Sequence, residues 1–366
     1  MIDLNTPRIR VLVVDDSATA RRLIANALSG EPDFDIVGFA ANGRQALERV
    51  SQDRPDVVVL DLEMPEMSGL AALGELKRRD ALLPVVVFSS QTQRGAASTV
   101  DALLAGADDY ASKPSGAGAE WAAVQVELVA KLRAVTGRVQ RPIISQGPTS
   151  GTVSIRSRPA PRVPVRAVAI GTSAGGPEAL ALLLPRFSGD LRVPLFIVQH
   201  MPSNFTAALA KRLNEKSSLR VVEASQGQLA QPGIAYLAPG DFHLKLARRH
   251  GTTALLLDKS PPEHGCRPSV DSLFRSAAEV YGSGLLALVL TGMGSDGLEG
   301  ARAVNAASGN VWIQDEASAM IWGMPGAVAR AGLARRTCSL LAIPQAVEAA
   351  VAQGLPVNRD SAIRSG

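Results

Sequence analysis

The chain has 366 residues, of which 46% are hydrophobic and 20% charged, as in a globular protein long enough for two domains. No apolar run approaches the ~20 residues of a transmembrane helix, and the first residues lack the apolar core of a signal peptide. We therefore expect a cytoplasmic protein without membrane insertion. The two cysteines, Cys266 and Cys338, are too few for a disulfide framework or a four-thiolate metal site.

The net charge of +4 is concentrated in one segment of the chain. Residues 138–166 contain six arginines and no acidic residue, so the rest of the chain is close to neutral. A DNA-binding output domain would need a compact helix-turn-helix with a basic face. The sequence therefore predicts no nucleic-acid partner, and it leaves the oligomeric state open.

Five strand-like runs alternate with helical patterns before residue 137. They are RVLVVD, FDIVGFA, DVVVLD, PVVVFSS and DDYASKP. Alternating strands and helices predict a parallel α/β sheet covered on both faces. Within this part, Ser17 and Gly30 are typical of the two ends of a helix.

Polar residues stand where these strands end, which is the edge at which open α/β sheets bind ligands. Three of them, Asp15, Asp16 and Asp61, are acidic and would repel one another unless a hard cation such as Mg²⁺ lay among them. Ser89 and Lys113 could hold an incoming phosphoryl group, with Asp61 as its acceptor. Any one of these residues could instead be a helix cap, as Asp16 illustrates.

The motifs VDDS, DLEMPEMSG, SS and YASKP make residues 9–136 similar to a two-component receiver domain of flavodoxin-like fold. The resemblance implies that Asp61 is phosphorylated by a histidine kinase. It also implies that Mg²⁺ is bound by Asp15 or Asp16, Asp61 and the carbonyl of Glu63. Three further residues would relay the change: Ser89, Tyr110 and Lys113.

The division of the chain follows from composition. We expect a receiver at 1–136, a Gly, Ser and Pro-rich linker at 137–164, a second domain at 165–354 and a flexible tail at 355–366. The second domain has eight strand-like runs and is expected to form a doubly wound, mainly parallel, Rossmann-like sheet. The runs are RAVAIG, LFIVQH, RVVEAS, IAYLAP, HLKLA, TALLLD, LLALVLT and NVWIQD.

The segment GTSAG at residues 171–175 fits the G-x-S-x-G pattern between a strand and a helix, which makes Ser173 a candidate nucleophile. Such a serine needs a base, and His200 at the end of LFIVQH is the best placed, with His243 as the alternative base or a substrate contact. Asp296, on the glycine-rich turn after LLALVLT, is the candidate for the carboxylate that orients the base. The order Ser, His, Asp differs from that of the α/β-hydrolases.

Two alternatives remain open at this point. Ser295 or Asp296 could only cap the helix that follows. The GTSAGG turn could instead bind a phosphate at a helix N-terminus, which would make the second domain a non-catalytic binding module. Against this second alternative, the turn lacks a full G-x-G-x-x-G or a lysine-bearing phosphate-binding loop.

The blocks IGTSAGGPEAL, VQHMPSNFTAALA, YLAPGDFHLKL, RPSVDSLFRSAA and LTGMGSDGLEGA resemble those of the chemotaxis protein-glutamate methylesterases, the CheB family. The resemblance implies catalytic roles for Ser173, His200 and Asp296 and an oxyanion contact at the Met293 backbone, with no cofactor for ester hydrolysis. Ala174 stands where many members have threonine, and Ser295 stands where asparagine is common.

The same resemblance implies a function. The substrates would be glutamate methyl esters, and certain glutamines, on the helical bundles of methyl-accepting chemoreceptors. Arg267 could bind the acidic surface of such a bundle. We expect the receiver to block the esterase site until Asp61 is phosphorylated.

Overall fold

The computed structural model describes residues 7–90, 92–114, 119–137 and 162–356. Most of the predicted linker and of the predicted tail lies outside these residues. The chain divides into two compact units, one built on the first sheet and the other on the second. Among the described residues, no helix is both long and apolar enough to span a membrane.

The first unit is a five-stranded parallel sheet with the order β2-β1-β3-β4-β5, which is that of the flavodoxin-like fold. The predicted strands and their connecting helices are all present. In chain order the elements are β1 (Ile9–Val14), α1 (Ala18–Ser29), β2 (Phe34–Ala40), α2 (Gly43–Asp53), β3 (Val57–Leu60), α3 (Gly69–Arg79), β4 (Val85–Ser89), α4 (Gln93–Leu104), β5 (Asp109–Ser112) and α5 (Ala119–Thr136).

The capping residue of α1 separates two interpretations of the acidic pair. Ser17 is the N-cap, accepting a hydrogen bond from Ala20 N, and Gly30 ends the helix, as predicted. Asp16 is therefore not the cap of this helix. This leaves both Asp15 and Asp16 at the end of β1 for another use.

The second unit contains all eight predicted strands and three short ones that the sequence pattern did not reveal: Arg162–Val163, Arg336–Cys338 and Leu355–Pro356. From residue 162 onward the elements in chain order are β6 (Arg162–Val163), β7 (Ala167–Thr172), α6 (Gly176–Leu183), β8 (Leu195–Gln199), α7 (Ser203–Lys216), β9 (Arg220–Glu223), β10 (Ile234–Leu237), β11 (His243–Arg249), β12 (Thr252–Asp258), α8 (Val270–Tyr281), β13 (Leu285–Val289), α9 (Leu298–Ala306), β14 (Asn310–Gln314), α10 (Met324–Arg330), β15 (Arg336–Cys338), α11 (Ile343–Gln353) and β16 (Leu355–Pro356).

Seven strands form one parallel sheet in the order β15-β14-β13-β7-β8-β10-β9. Two predicted strands, β11 and β12, lie outside it as an antiparallel hairpin. The remaining two-residue strands, β6 and β16, pair with each other, so the predicted linker and tail each include a residue pair that is structured.

The strand order reverses direction at β7. The chain runs outward from β7 through β8 and then returns to place β13 on the other side of β7. In open α/β sheets such a reversal opens a crevice beyond the carboxyl ends of the two central strands, where ligands bind. This edge of β7, β8 and β13 therefore positions the candidate site.

Candidate active site and phosphorylation site

Three sequence-predicted residues follow these three neighbouring strands. Ser173 comes directly after β7, His200 directly after β8, and Asp296 lies in the loop between β13 and α9. The strands are in parallel register, with Thr172 opposite Gln199 and Gly171 opposite Val289. Because parallel strands end at one edge, the fold carries all three residues to the same crevice.

Asp296 is the most constrained side chain of this group. It is 2% exposed, and its two carboxylate oxygens are within hydrogen-bond distance of five donors. The donors are Ser269 Oγ at 3.0 Å, Val270 N at 2.7 Å, Asp271 N at 2.9 Å, Gly297 N at 2.9 Å and His200 Nε2 at 2.7 Å. Gly297, and not Ser295 or Asp296, is the N-cap of α9, so the capping interpretation is wrong.

Two of the donors to Asp296 belong to the first turn of helix α8. The N-terminus of a helix carries partial positive charge and unpaired N–H groups, which stabilise an anion. Burial alone raises the pKa of Asp296, but the hydrogen bond and charge of His200 and the backbone N–H groups of Val270 and Asp271 lower it below its usual range. The carboxylate is therefore ionised at neutral pH and holds the imidazole.

His200 is 12% exposed in its side chain and contacts Asp296 through Nε2. Burial by itself lowers the pKa of His200, but interactions with Asp296 and Cys266 outweigh burial and raise the pKa to about 9. Since Nε2 faces the carboxylate, Nδ1 is the nitrogen left to exchange a proton with a substrate or nucleophile.

Ser173 is held by its backbone and is only partly buried. Its N–H donates to Thr291 O at 3.0 Å, and its carbonyl accepts from Gly176 N at 2.8 Å. The Gly176 N–H, the first of helix α6, is therefore not available to a ligand. This makes the turn a poor phosphate-binding site, against the alternative that the second domain is a binding module. The arrangement favours a serine presented at the rim of the crevice.

Met293, the predicted oxyanion residue, lies beside the Ser173 turn. Its neighbour Gly292 approaches so closely that an added Cβ would lie 2.9 Å from Ser173 Cβ. The Gly292 carbonyl accepts from Gly323 N at 3.1 Å and Met324 N at 2.9 Å, which fixes this loop. The Met293 side chain itself is 41% exposed.

Sequence reasoning missed Thr291 and Ser269, which support the site from behind. Thr291 Oγ1 donates to Ala174 O at 2.9 Å, and Thr172 Oγ1 donates to Thr291 O at 2.9 Å. Ser269 joins Asp296 to the start of α8. Both residues lie within the quoted motifs LTGMGSD and RPSVDS, but their role depends on contacts between segments far apart in sequence.

The alternative base, His243, is fully buried and has both ring nitrogens engaged. Nδ1 accepts from Ser269 N at 3.2 Å, and Nε2 lies 3.0 Å from Pro261 O. With a carbonyl and an N–H as its two partners, the ring is a neutral structural histidine. Arg267 is also engaged with its own loop, through Nη1 to Lys259 O and Ser260 O.

His264, Asp271 and Asp296 bring ligand-type atoms within 4.8 Å of one another. The geometry does not favour a metal site, because Asp296 already has its five donors. Asp271 likewise accepts from Gly300 N at 2.6 Å and contacts His264 Nε2 at 2.9 Å. These contacts are those of a hydrogen-bonded loop support.

The first unit brings together its own predicted residues at the ends of β1, β3 and β5. Lys113 Nζ lies 2.9 Å from Asp15 Oδ2 and 2.8 Å from Asp61 Oδ2. Asp15 and Asp61 are almost fully buried, whereas Asp16 is exposed. Burial raises the pKa of Asp61, and the Lys113 ammonium only partly offsets it.

Asp15, Asp16 and Asp61 place oxygen atoms within 4.8 Å of one another, which suits a hard divalent cation. Asp15 Oδ2 is buried and lies 2.9 Å from the Lys113 ammonium. Three carboxylates against this one ammonium leave an excess of negative charge that a divalent cation would balance, so these residues fit the ion. Glu63, the predicted carbonyl ligand, is adjacent: its N–H lies 3.4 Å from Asp61 Oδ1.

The remaining predicted switch residues lie on the next two strands. Ser89 ends β4 and is 2% exposed, and its carbonyl accepts from Lys113 N at 2.7 Å. Tyr110, on β5, is 6% exposed, and Lys131 Nζ lies 4.5 Å from its ring centroid. The structure therefore places Ser89 and Lys113 in direct backbone contact next to Asp61.

The two sites define a class of protein: a response regulator whose receiver precedes a hydrolase domain built on a parallel sheet. Residues 11–125 match the family model of the response regulator receiver domain, and residues 168–347 match that of CheB methylesterase. The chain belongs to the CheB methylesterase family, which confirms the resemblance found in the sequence motifs.

Individual relatives agree with this assignment over most of their length. A protein-glutamate methylesterase/protein-glutamine glutaminase of Nocardioides sp. is 45% identical over 342 residues, covering 92% of this chain and 93% of the relative. The protein of the same name from Thermotoga maritima is 39% identical over 338 residues, covering 92% and 97%. The crystal structure of the Thermotoga maritima CheB methylesterase catalytic domain is 40% identical, with a TM-score of 0.50, and covers 51% of this chain and 98% of that chain.

The raised pKa of His200 predicts the pH dependence of the hydrolase. A general base must be unprotonated, so the rate follows the fraction of neutral imidazole. Since the pKa of His200 is raised to about 9, kcat/KM for ester hydrolysis should rise with pH through neutrality and level off near that value. A profile that levels off at the ordinary histidine value of about 6.5 would contradict this.

The Asp296 contacts predict a large effect of an isosteric change. Asp296→Asn turns an NH₂ group toward N–H donors and removes the charge that fixes the imidazole, so kcat should fall by about 10³–10⁴-fold. Asp258→Asn is the matched control, since Asp258 also accepts a backbone N–H, from Ser260 at 3.0 Å, but on the β11–β12 hairpin. Equal kcat values for the two variants would show that Asp296 does not orient the base.

Proposed function

We propose that this protein hydrolyses glutamate methyl esters on methyl-accepting chemoreceptors, with Ser173 as nucleophile, His200 as base and Asp296 as orienting carboxylate. One observation carries the assignment: a buried carboxylate with five donors binds the imidazole that follows β8, at the edge where Ser173 follows β7. A carboxylate, an imidazole and a serine at one crevice are the parts of an acyl-transfer site.

The first chemical step forms an acyl-enzyme. Ser173 Oγ attacks the side-chain carbonyl carbon of the esterified glutamate while its proton passes to His200 Nδ1. The tetrahedral intermediate collapses by breaking the bond to the methoxy oxygen, which takes the same proton and leaves as methanol. Asp296 stabilises the imidazolium throughout, because its oxygens are already oriented by the α8 N-terminus.

Hydrolysis of the acyl-enzyme repeats the cycle with water. His200 takes a proton from the water, whose oxygen bonds to the acyl carbon, and then returns the proton to Ser173 Oγ as glutamate is released. A glutamine side chain differs only in its leaving group, ammonia, so deamidation uses the same residues. Esterase chemistry of this kind needs no cofactor.

The Met293 backbone is the proposed oxyanion contact. Its support is the approach of Gly292 to Ser173 and the hydrogen bonds that hold the Gly292 carbonyl. An oxyanion donor acts only when it is fixed in advance at the position where charge develops. Ala174 keeps its carbonyl bonded to Thr291 Oγ1, so the turn is supported although the side chain at 174 is a methyl group.

In the receiver, we assign Asp61 as the phosphorylated residue, with a histidine kinase as phosphodonor. Asp15, Asp16, Asp61 and the Glu63 carbonyl would hold Mg²⁺, which neutralises phosphoryl oxygens during transfer. Lys113 already bridges Asp15 and Asp61 and would bind the new phosphoryl group, while Ser89 and Tyr110 respond to it. A histidine kinase takes its phosphoryl group from a nucleotide in the cytoplasm, so we place the protein in the cytoplasm.

The regulatory domain precedes the catalytic domain in the chain. We assign residues 1–136 to the receiver, 137–164 to the linker, 165–354 to the catalytic domain and 355–366 to the tail. Phosphorylation of Asp61 would relieve a block that the receiver imposes on the hydrolase site.

The role of Ser173 is tested by methanol release from membranes that carry methylated chemoreceptors. Ser173→Ala should reduce release by at least about 10⁴-fold, because no other group can form the acyl-enzyme. Ser283→Ala, which removes a similarly half-buried hydroxyl just before β13, is the control and should retain activity. Release by Ser173→Ala at the wild-type rate would exclude this nucleophile.

Regulation is tested with a small phosphodonor. Wild-type activity should rise on its addition, whereas Asp61→Asn should keep the basal rate and lose the rise; chelation of Mg²⁺ should have the same effect as the substitution. Asp35→Asn, at an exposed position on β2, serves as the control and should respond like wild type. A full response in Asp61→Asn would refute phosphorylation at this residue.

A further inference from the structure

Gln199, the last residue of β8, is a buried side chain whose amide contacts both ends of the hydrolase site. It is 2% exposed. Its Nε2 lies 2.9 Å from Ser173 O and 3.3 Å from His200 O. One amide group thus joins the peptide unit of the nucleophile to that of the base.

The neighbours of this amide fix its orientation. Both groups facing the nitrogen are carbonyl oxygens, and only an N–H donor can bond to them. The other end, Oε1, is buried and has no hydrogen-bond partner among the residues that the structure describes. It lies against Gly176, where any Cβ would collide with it. The side chain therefore has one donor end that is fully used and one acceptor end that is left bare.

A buried acceptor without a partner destabilises the folded state, and each such group requires an explanation. A leucine or methionine would fill the same space without that cost. What the glutamine adds is the pair of N–H bonds to Ser173 O and His200 O. The glutamine thus lowers the stability of the fold but holds the Ser173 and His200 carbonyl oxygens in place, and such a compromise is typical of active sites.

The backbone around Ser173 explains why this matters. The Ser173 N–H is fixed by Thr291 O at 3.0 Å, and the His200 N–H by Thr172 O at 3.3 Å. Gln199 donates to the carbonyl oxygens of the same two residues, and at Ser173 O it is a second donor beside Gly176 N. Because the Ser173 side chain is only partly buried, its direction depends on this backbone and not on packing of the side chain.

We propose that Gln199 is a positioning residue for the hydrolase reaction: its side-chain amide clamps the Ser173 and His200 peptide units and so sets the separation of nucleophile and base. The inference rests on the proposed roles of Ser173 and His200. Displacements of about 1 Å between reacting groups cost about 10²-fold in rate. Loss of the clamp should therefore lower kcat while leaving KM nearly unchanged.

The first test compares Gln199→Met with a matched control. Asn310→Leu removes another buried amide with an unpartnered oxygen, but at the start of β14, at the opposite edge of the same sheet. Gln199→Met should lower kcat by about 10–100-fold with KM within about twofold, and Asn310→Leu should change only the melting temperature. Wild-type kcat in Gln199→Met, or equal loss in both variants, would overturn the proposal.

The second test uses pH to separate positioning from folding. In Gln199→Glu a protonated carboxyl can donate one hydrogen bond to these carbonyl oxygens, whereas an ionised one repels them. Each protein's profile is first corrected for its own His200 titration, because a carboxylate at position 199 also changes the pKa of His200. The corrected ratio of variant to wild-type kcat should rise as the pH falls. A ratio that is independent of pH would contradict the clamp, as would a failure of both Gln199 variants to fold.

The labelling rate of Ser173 by a fluorophosphonate makes this test independent of the receptor substrate. If the wild type is labelled at Ser173 but releases no methanol from receptors, the substrate assignment fails and the clamp is still tested by labelling. Gln199→Met should be labelled about 10–100-fold more slowly than wild type and Asn310→Leu at the wild-type rate. Equal labelling of all three proteins would overturn the clamp alone.

Discussion

The hydrolase site depends on one buried carboxylate. Asp296 would be costly to ionise at 2% exposure were it not for the donors that the start of α8, Ser269 and Gly297 direct at it. Those donors make it a permanent anion, and the anion in turn fixes His200 through Nε2. The tautomer and basicity of the histidine are thus set by a helix terminus that contributes no side chain to the chemistry.

The receiver also contains buried carboxylates, but their charge is balanced in a different way. Its buried carboxylates, Asp15 and Asp61, share the single ammonium of Lys113, so their negative charge is only partly balanced. Asp296 has hydrogen bonds from several backbone N–H groups and is suited to hold a proton acceptor in place. Asp15 and Asp61 have fewer donors and are suited to bind a cation and a phosphoryl group. The number of hydrogen-bond donors around each carboxylate thus distinguishes Asp296, which positions the base, from Asp15 and Asp61, which would bind the cation and the phosphoryl group.

Much of this could be predicted from the sequence, because the relevant residues end apolar strands. Ser173, His200 and Asp61 follow short buried runs, and parallel topology carries such residues to one edge. Thr291, Ser269 and the Gln199 amide were missed, since their partners come from segments that only the folded topology brings together. The capping interpretation of Asp296 failed for the same reason: three of its donors lie 25 to 27 residues earlier in the chain, and His200 lies 96 residues earlier. The short strands β6, β15 and β16 have two or three residues, too few for a periodic pattern.

The most direct test of the central claim is the protonation of His200, measured by ¹⁵N NMR of the full-length protein labelled at its four histidines. If Asp296 fixes the imidazole, neutral His200 carries its proton on Nε2, bonded to Asp296, and its pKa lies above the ordinary histidine range. Substitution of Asp296 should abolish both properties. A neutral His200 protonated on Nδ1 could not accept the Ser173 proton there, and Asp296 would not be the group that orients the base.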